Sequence, residues 1–150
     1  MSEFTPKLFS SAGDHLAFHV THPAERHTTA TRQRISGPAL RTFLNIVSKW
    51  ALSPEDQRAL LGWLPRSSFY KLRKTADPLL SYDELERISL VIGIYKALHI
   101  LFPEDHLANA WVNLANTNPE FGGHAPIERM KQSIDGLYSV RRLLDSRRGQ

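Results

Sequence analysis

Pro65 to Lys74 reads PRSSFYKLRK, with four cations, Arg66, Lys71, Arg73 and Lys74, and no carboxylate. Guanidinium and ammonium groups neutralise phosphates, and the hydroxyls of Ser67, Ser68 and Tyr70 can hydrogen-bond phosphate or base edges, so this mixture suits a nucleic-acid partner. The whole chain carries 19 Lys and Arg against 15 Asp and Glu, a net charge of +4. That one stretch therefore equals the entire excess, and the remaining charges balance. A basic face so localised points to a polyanion; the plainer alternative is a solvated helix face.

Other chemistries find less support. Four of the seven His lie before residue 28, and the spacing of His15, His19 and His22 would suit a metal on a helix. Pro23 and the lack of an acidic or thiol partner pattern favour a His-rich tail, so neither a metal nor a cofactor is expected. Without cysteine there is no disulfide framework and no thiolate zinc site. No HExxH, GxSxG, GxGxxG or P-loop occurs, which argues against an enzyme. The longest apolar run, Ile92 to Leu101, is interrupted by Gly93, Lys96 and His99 and falls well short of the roughly 20 residues a membrane span needs. A soluble, cytoplasmic protein without an export signal is expected.

The elements that must position the basic stretch are helices. Residues 1–36 are polar and irregular, an arm without sustained apolar period. Pro38 suits a first helical turn, and Leu40, Phe43, Leu44, Val47 and Trp50 then recur at steps of three and four. Ser53 is an N-cap before Pro54, Glu55 and Asp56, and Gly62 ends that second helix. The basic helix starts near Pro65, turning Phe69 and Leu72 inward. Ser81 and Glu84 form a capping box that opens a long helix to about Phe102. Pro103 ends it and starts a further helix with Leu107, Ala110, Trp111 and Leu114, and Asn116 to Ala125 (NTNPEFGGHA) is a loop rich in turn formers. Pro126 begins another helix, Gly136 allows a close approach or a break, and Leu137, Val140, Leu143 and Leu144 form a last apolar stripe. The expected class is all-α, with about seven helices and no strand.

Two short helices joined by Gly62-Trp63-Leu64, the second basic, have the helix-turn-helix pattern. Such a pair seats its second helix in the major groove, where Arg66, Ser67 and Ser68 occupy the first turn and Tyr70, Lys71, Arg73 and Lys74 supply further contacts. The alternative is a helical hairpin that only packs.

Over residues 38–148 the order of landmarks resembles the Xre/MbcA/ParS family of antitoxins. Trp50, LSPEDQRALLGW, the basic helix and LSYDELERISLVIGIYKAL resemble its helix-turn-helix domain. Trp111, Asn118-Pro119, Gly122-Gly123, Pro126-Ile127-Glu128 and Val140-Arg141 resemble its toxin-binding domain. The segment Met130-Lys131-Gln132-Ser133 departs from the Leu-rich pattern usual there. On this resemblance the chain divides into the arm at 1–36, a DNA-binding domain at 37–102 and a toxin-binding domain at 103–150.

The resemblance implies a partner, a RES-domain toxin that consumes NAD⁺, whose active-site entrance the C-terminal region covers. It also implies a homodimer that binds its own operator and represses transcription. A pocket for the NAD⁺ pyrophosphate would attract guanidinium, which nominates Arg141, Arg142, Arg147 and Arg148. Helix-dipole complementation is their simpler role. Phe121, beside Gly122 in the loop, is the aromatic candidate for the toxin interface. The alternative is a transcription regulator without a toxin, its second half used for dimerisation.

Overall fold

Residues 28–149 are described by a computed structural model. Among them are seven α-helices and no strand: α1 (Thr29–Lys49), α2 (Pro54–Leu60), α3 (Arg66–Lys74), α4 (Tyr82–Leu101), α5 (Asp105–Ala110), α6 (Pro126–Gln132) and α7 (Ile134–Arg148). Short 3₁₀ turns at Trp111–Asn113 and Pro119–Phe121 join α5 to α6. None of these helices is long and apolar enough to cross a membrane. The arm's His15, His19 and His22 lie outside the described residues.

The expected start of the first helix is corrected. It begins at Thr29 and runs through Gly37 and Pro38, so residues 29–36 are helical and not part of an irregular arm. An internal proline forfeits one ladder bond and costs about 3 kcal/mol. Tertiary contacts from the same turns offset this. Ile35 and Ser36 are buried, the Ser36 hydroxyl accepts the Leu80 N–H at 2.9 Å, and Arg32 Nη1 donates to the Leu80 carbonyl at 3.0 Å. Thr28 caps this early start by accepting from the Thr31 amide.

The helix expected from Pro103 through Leu114 is shorter: it spans Asp105–Ala110, Trp111–Asn113 form a 3₁₀ turn and Leu114 is extended. The caps agree with the local chemistry. Ser53 accepts the Asp56 amide and opens α2. Both halves of the capping box form: Ser81 Oγ accepts from the Glu84 amide at 3.0 Å, and a Glu84 oxygen accepts from the Ser81 amide at 2.9 Å. The long helix α4 is the centre of the molecule, packed against α1 on one side and α7 on another. Leu85, Ile88, Val91, Ile92, Ile94, Tyr95 and Leu98 are all nearly inaccessible, so the helix is buried over most of its circumference, as an apolar-all-round sequence requires.

The break between the last two helices falls at Ser133, whose hydroxyl accepts from the Gly136 amide. Gly136 supplies the close approach. A Cβ there would lie 2.0 Å from the Arg129 carbonyl oxygen. One apolar cluster runs from Ile35 through Phe43, Phe69 and Tyr95 to Met130 and Leu144, so the basic helix and the C-terminal helices share a core.

Candidate nucleic-acid and partner interfaces

Helix α3 is amphipathic in the required sense. Phe69 is fully buried and Leu72 half-buried, while Arg66, Ser67, Ser68, Tyr70, Lys71, Arg73 and Lys74 are all exposed. Every residue assigned to nucleic acid from the sequence thus lies on the solvent side of one nine-residue helix. Arg66, Lys71, Arg73 and Lys74 have no carboxylate partner among the described residues, whereas Arg87, Arg129, Lys131, Arg141 and Arg148 each have one. Arg73 instead sits over the Phe69 ring, 5.6 Å from its centroid, which steadies the side chain without neutralising it. Pro65 offers α3 no side-chain cap, so the amides of its first turn keep their capacity to meet an anion.

The turn that aims α3 is the Gly62-Trp63-Leu64 segment expected from the sequence, held by two arginines that the sequence did not reveal. Gly62 takes φ +89°, which glycine adopts freely, and Trp63 follows at φ +59°, where a side chain is strained. Arg58, in the last turn of α2, holds this geometry: its Nε donates to the Leu64 carbonyl at 2.7 Å, and its own carbonyl accepts from the Leu64 amide. Arg87 of α4 lies beneath, paired with Asp83 at 2.9 Å, and would meet a Cβ on Gly62 at 3.2 Å. A basic residue near a helix end was the only available hint for Arg58.

The residues assigned to a toxin partner are less uniform. Phe121 is corrected: it is 5% exposed and packs edge-on against Trp111, ring centroids 5.8 Å apart, so it belongs to the core. The Asn and Gly residues around it explain why. Asn116 and Asn118 cap successive amides, and Gly122 and Gly123 adopt φ +55° and +85°, folding the loop back so that its one aromatic points inward. Between this loop and α6 lies an open cleft of about 280 Å³ edged by Glu120, His124, Glu128, Arg129 and Gln132. Arg129 pairs with Glu120 across it at 3.3 Å.

Arg141 and Arg148 both pair with Asp145, at 3.0 and 3.5 Å, and Arg142 reaches the Ser139 hydroxyl at 3.4 Å. Arg147 is exposed and has no ion pair among the described residues. Half-buried Lys96 of α4 is held below the usual lysine range by burial first and then by Arg141 and Arg148, which places three cations together on the α4–α7 face. Arg141 and Arg148 are thus arranged around one carboxylate, and Arg147 is the least committed of the four.

A second set of contacts links the helices on either side of α4. Lys131 of α6 donates to Asp56 of α2 at 3.0 Å and lies 3.3 Å from Glu128. Burial alone would lower its pKa; the hydrogen bonds to Asp56 and Glu128 outweigh that and raise it. Asn113 donates to the Trp50 carbonyl at 2.7 Å, tying the first 3₁₀ turn to the end of α1.

With this geometry in place, comparison with known proteins is decisive. Residues 30–93 match the antitoxin Xre-like helix-turn-helix domain, and residues 97–149 match the antitoxin Xre/MbcA/ParS C-terminal toxin-binding domain. The chain belongs to the Xre/MbcA/ParS antitoxin family. It is also 39% identical over 111 residues to the uncharacterized protein y4oB of Sinorhizobium fredii, covering 73% of this chain and 84% of that protein. No solved structure matches it. The two matched segments meet inside α4, the helix both share. As an antitoxin of this family, the chain combines a helix-turn-helix with a toxin-binding segment.

Proposed function

We propose that this antitoxin neutralises an NAD⁺-consuming RES-domain toxin by covering its active-site entrance with the C-terminal region, and that as a homodimer it binds and represses its own operator. Residues 37–102 read DNA through α3, and residues 103–150 hold the toxin; the protein itself performs no catalysis and requires no cofactor. The observation that carries the DNA half is that α3 gathers four cations, none with a carboxylate partner among the described residues, on the exposed side of one nine-residue helix. Unpaired cations on an exposed helix leave their charge for phosphate, and Arg66, Ser67 and Ser68 occupy the turn that reaches base edges in helix-turn-helix docking. On the toxin side, the exposed Arg147 is the guanidinium best placed to compete for a pyrophosphate-binding pocket, with Arg142 beside it and Arg141 and Arg148 held by Asp145.

Co-expression with the product of the adjacent reading frame tests both halves. The wild-type pair should co-purify, and cells should retain NAD⁺. Arg66→Ala with Lys71→Ala should lose affinity for the upstream DNA and flatten its salt dependence, with toxin neutralisation intact. Deletion of residues 141–150 should restore NAD⁺ loss. Upstream DNA binding without any co-purifying toxin would instead favour a regulator that uses its second half for dimerisation.

A further inference from the structure

Lys131 stands 75 residues from Asp56 in sequence, yet its ammonium is the group that neutralises that carboxylate. Asp56 lies in the first turn of α2, the helix that crosses the phosphate backbone when a helix-turn-helix docks. A bare carboxylate on that helix would repel phosphate. The Asp56 side chain is 25% exposed and that of Lys131 19%, so the pair is neither buried out of reach nor fully screened by water. Lys131 is also shared: Glu128, 55% exposed at the edge of the cleft on α6, competes for the same ammonium at 3.3 Å.

We propose that Lys131 is a DNA-affinity residue contributed by the toxin-binding segment: it masks Asp56, and Glu128 sets how completely it does so. This inference rests on the reading that α2 and α3 dock on DNA.

The test uses the full chain and two duplexes, the DNA immediately upstream of its reading frame and a mixed-sequence control, with affinity read by fluorescence anisotropy at low salt. Lys131→Met keeps the aliphatic stem packed between α6 and α2 and removes only the charge. It should weaken binding to both duplexes by about three- to tenfold, the scale of one uncovered charge near phosphate. In an Asp56→Asn background the same substitution should cost less than about twofold, because nothing remains to mask. Glu128→Gln, on the cleft side, should tighten binding by up to about threefold. Wild-type affinity in Lys131→Met overturns the inference alone. A loss that persists undiminished with Asp56→Asn also overturns it, since Lys131 would then meet DNA itself. Weaker binding by Glu128→Gln removes the proposed competition. A wild-type chain that binds neither duplex takes the DNA-docking reading and this inference down together.

Discussion

The guanidinium of Arg141 on α7 occupies the space that a side chain on Gly93 of α4 would need: a Cβ there would fall 1.7 Å from Nη1 and 2.3 Å from Cζ. Glycine at this point lets a charged side chain lie across the central helix while its Nε holds Asp145. Because the obstructing atoms are the far end of a flexible side chain, Gly93→Ala should displace Arg141 and leave the backbone in place. Ala gains about 1 kcal/mol of helix propensity over Gly, and loss of the half-exposed Arg141–Asp145 pair costs about 0.5 kcal/mol. Stability should therefore stay level or rise by about 0.5 kcal/mol in urea denaturation. A fall beyond about 2 kcal/mol would mean that α4 and α7 themselves are forced apart.

Gly136 presents the opposite case. Its prospective Cβ would meet a backbone atom, the Arg129 carbonyl oxygen, at 2.0 Å, and a carbonyl fixed in α6 cannot swing aside. Gly136→Ala should cost about 3 kcal/mol, the upper part of the overpacking range, despite the same helix-propensity gain. Comparing the urea midpoints of the two glycine variants separates side-chain yielding from backbone clash. Equal midpoints would contradict the corner geometry at Ser133.

Of these two glycines, only Gly136 could be read from the chain beforehand. Close approach at Gly136 was legible because a glycine between two apolar stripes has few other uses, and the caps at Ser53 and Ser81 were legible because they involve only residues three apart. The early start of α1 was not, since Gly37 and Pro38 argue locally for a boundary and only Leu80, 44 residues away from Ser36, overrules them. Phe121 was misplaced for a related reason. Loop composition gives a turn but not the direction in which its aromatic points. Lys131 looked like a departure from an apolar family pattern, and only the fold brings it to Asp56.

Ser36 makes a test of that long-range anchoring. Its hydroxyl is fully buried, donates to the Arg32 carbonyl and accepts from the Leu80 amide. Ser36→Ala strands the Leu80 N–H in the core and should cost about 1–3 kcal/mol. Thr28→Ala, at the exposed cap of the same helix, should cost about 1 kcal/mol or less. Amide hydrogen exchange supplies the sharper readout: Leu80 should lose protection in Ser36→Ala and keep it in Thr28→Ala. Undiminished protection at Leu80 would show that α1 does not depend on this contact.

His99 predicts how stability depends on pH. It is 1% exposed, its ring packs tilted against that of Tyr95 with centroids 4.1 Å apart, and its Nε2 is 3.2 Å from Asn109 Oδ1. Burial pushes its pKa below the usual 6.5, while Asn109 and Asp105, 3.4 Å from Nδ1, pull the other way without prevailing. The unfolded chain therefore binds the proton more readily than the folded one. Stability from this site is complete above about pH 6.5 and is lost as the pH falls from there toward the depressed folded value. His99→Gln keeps an amide for Asn109 and removes the titration, so urea midpoints measured from pH 8 to pH 5 should decline less steeply than in wild type. Superimposable pH profiles for the two proteins would place the acid sensitivity elsewhere.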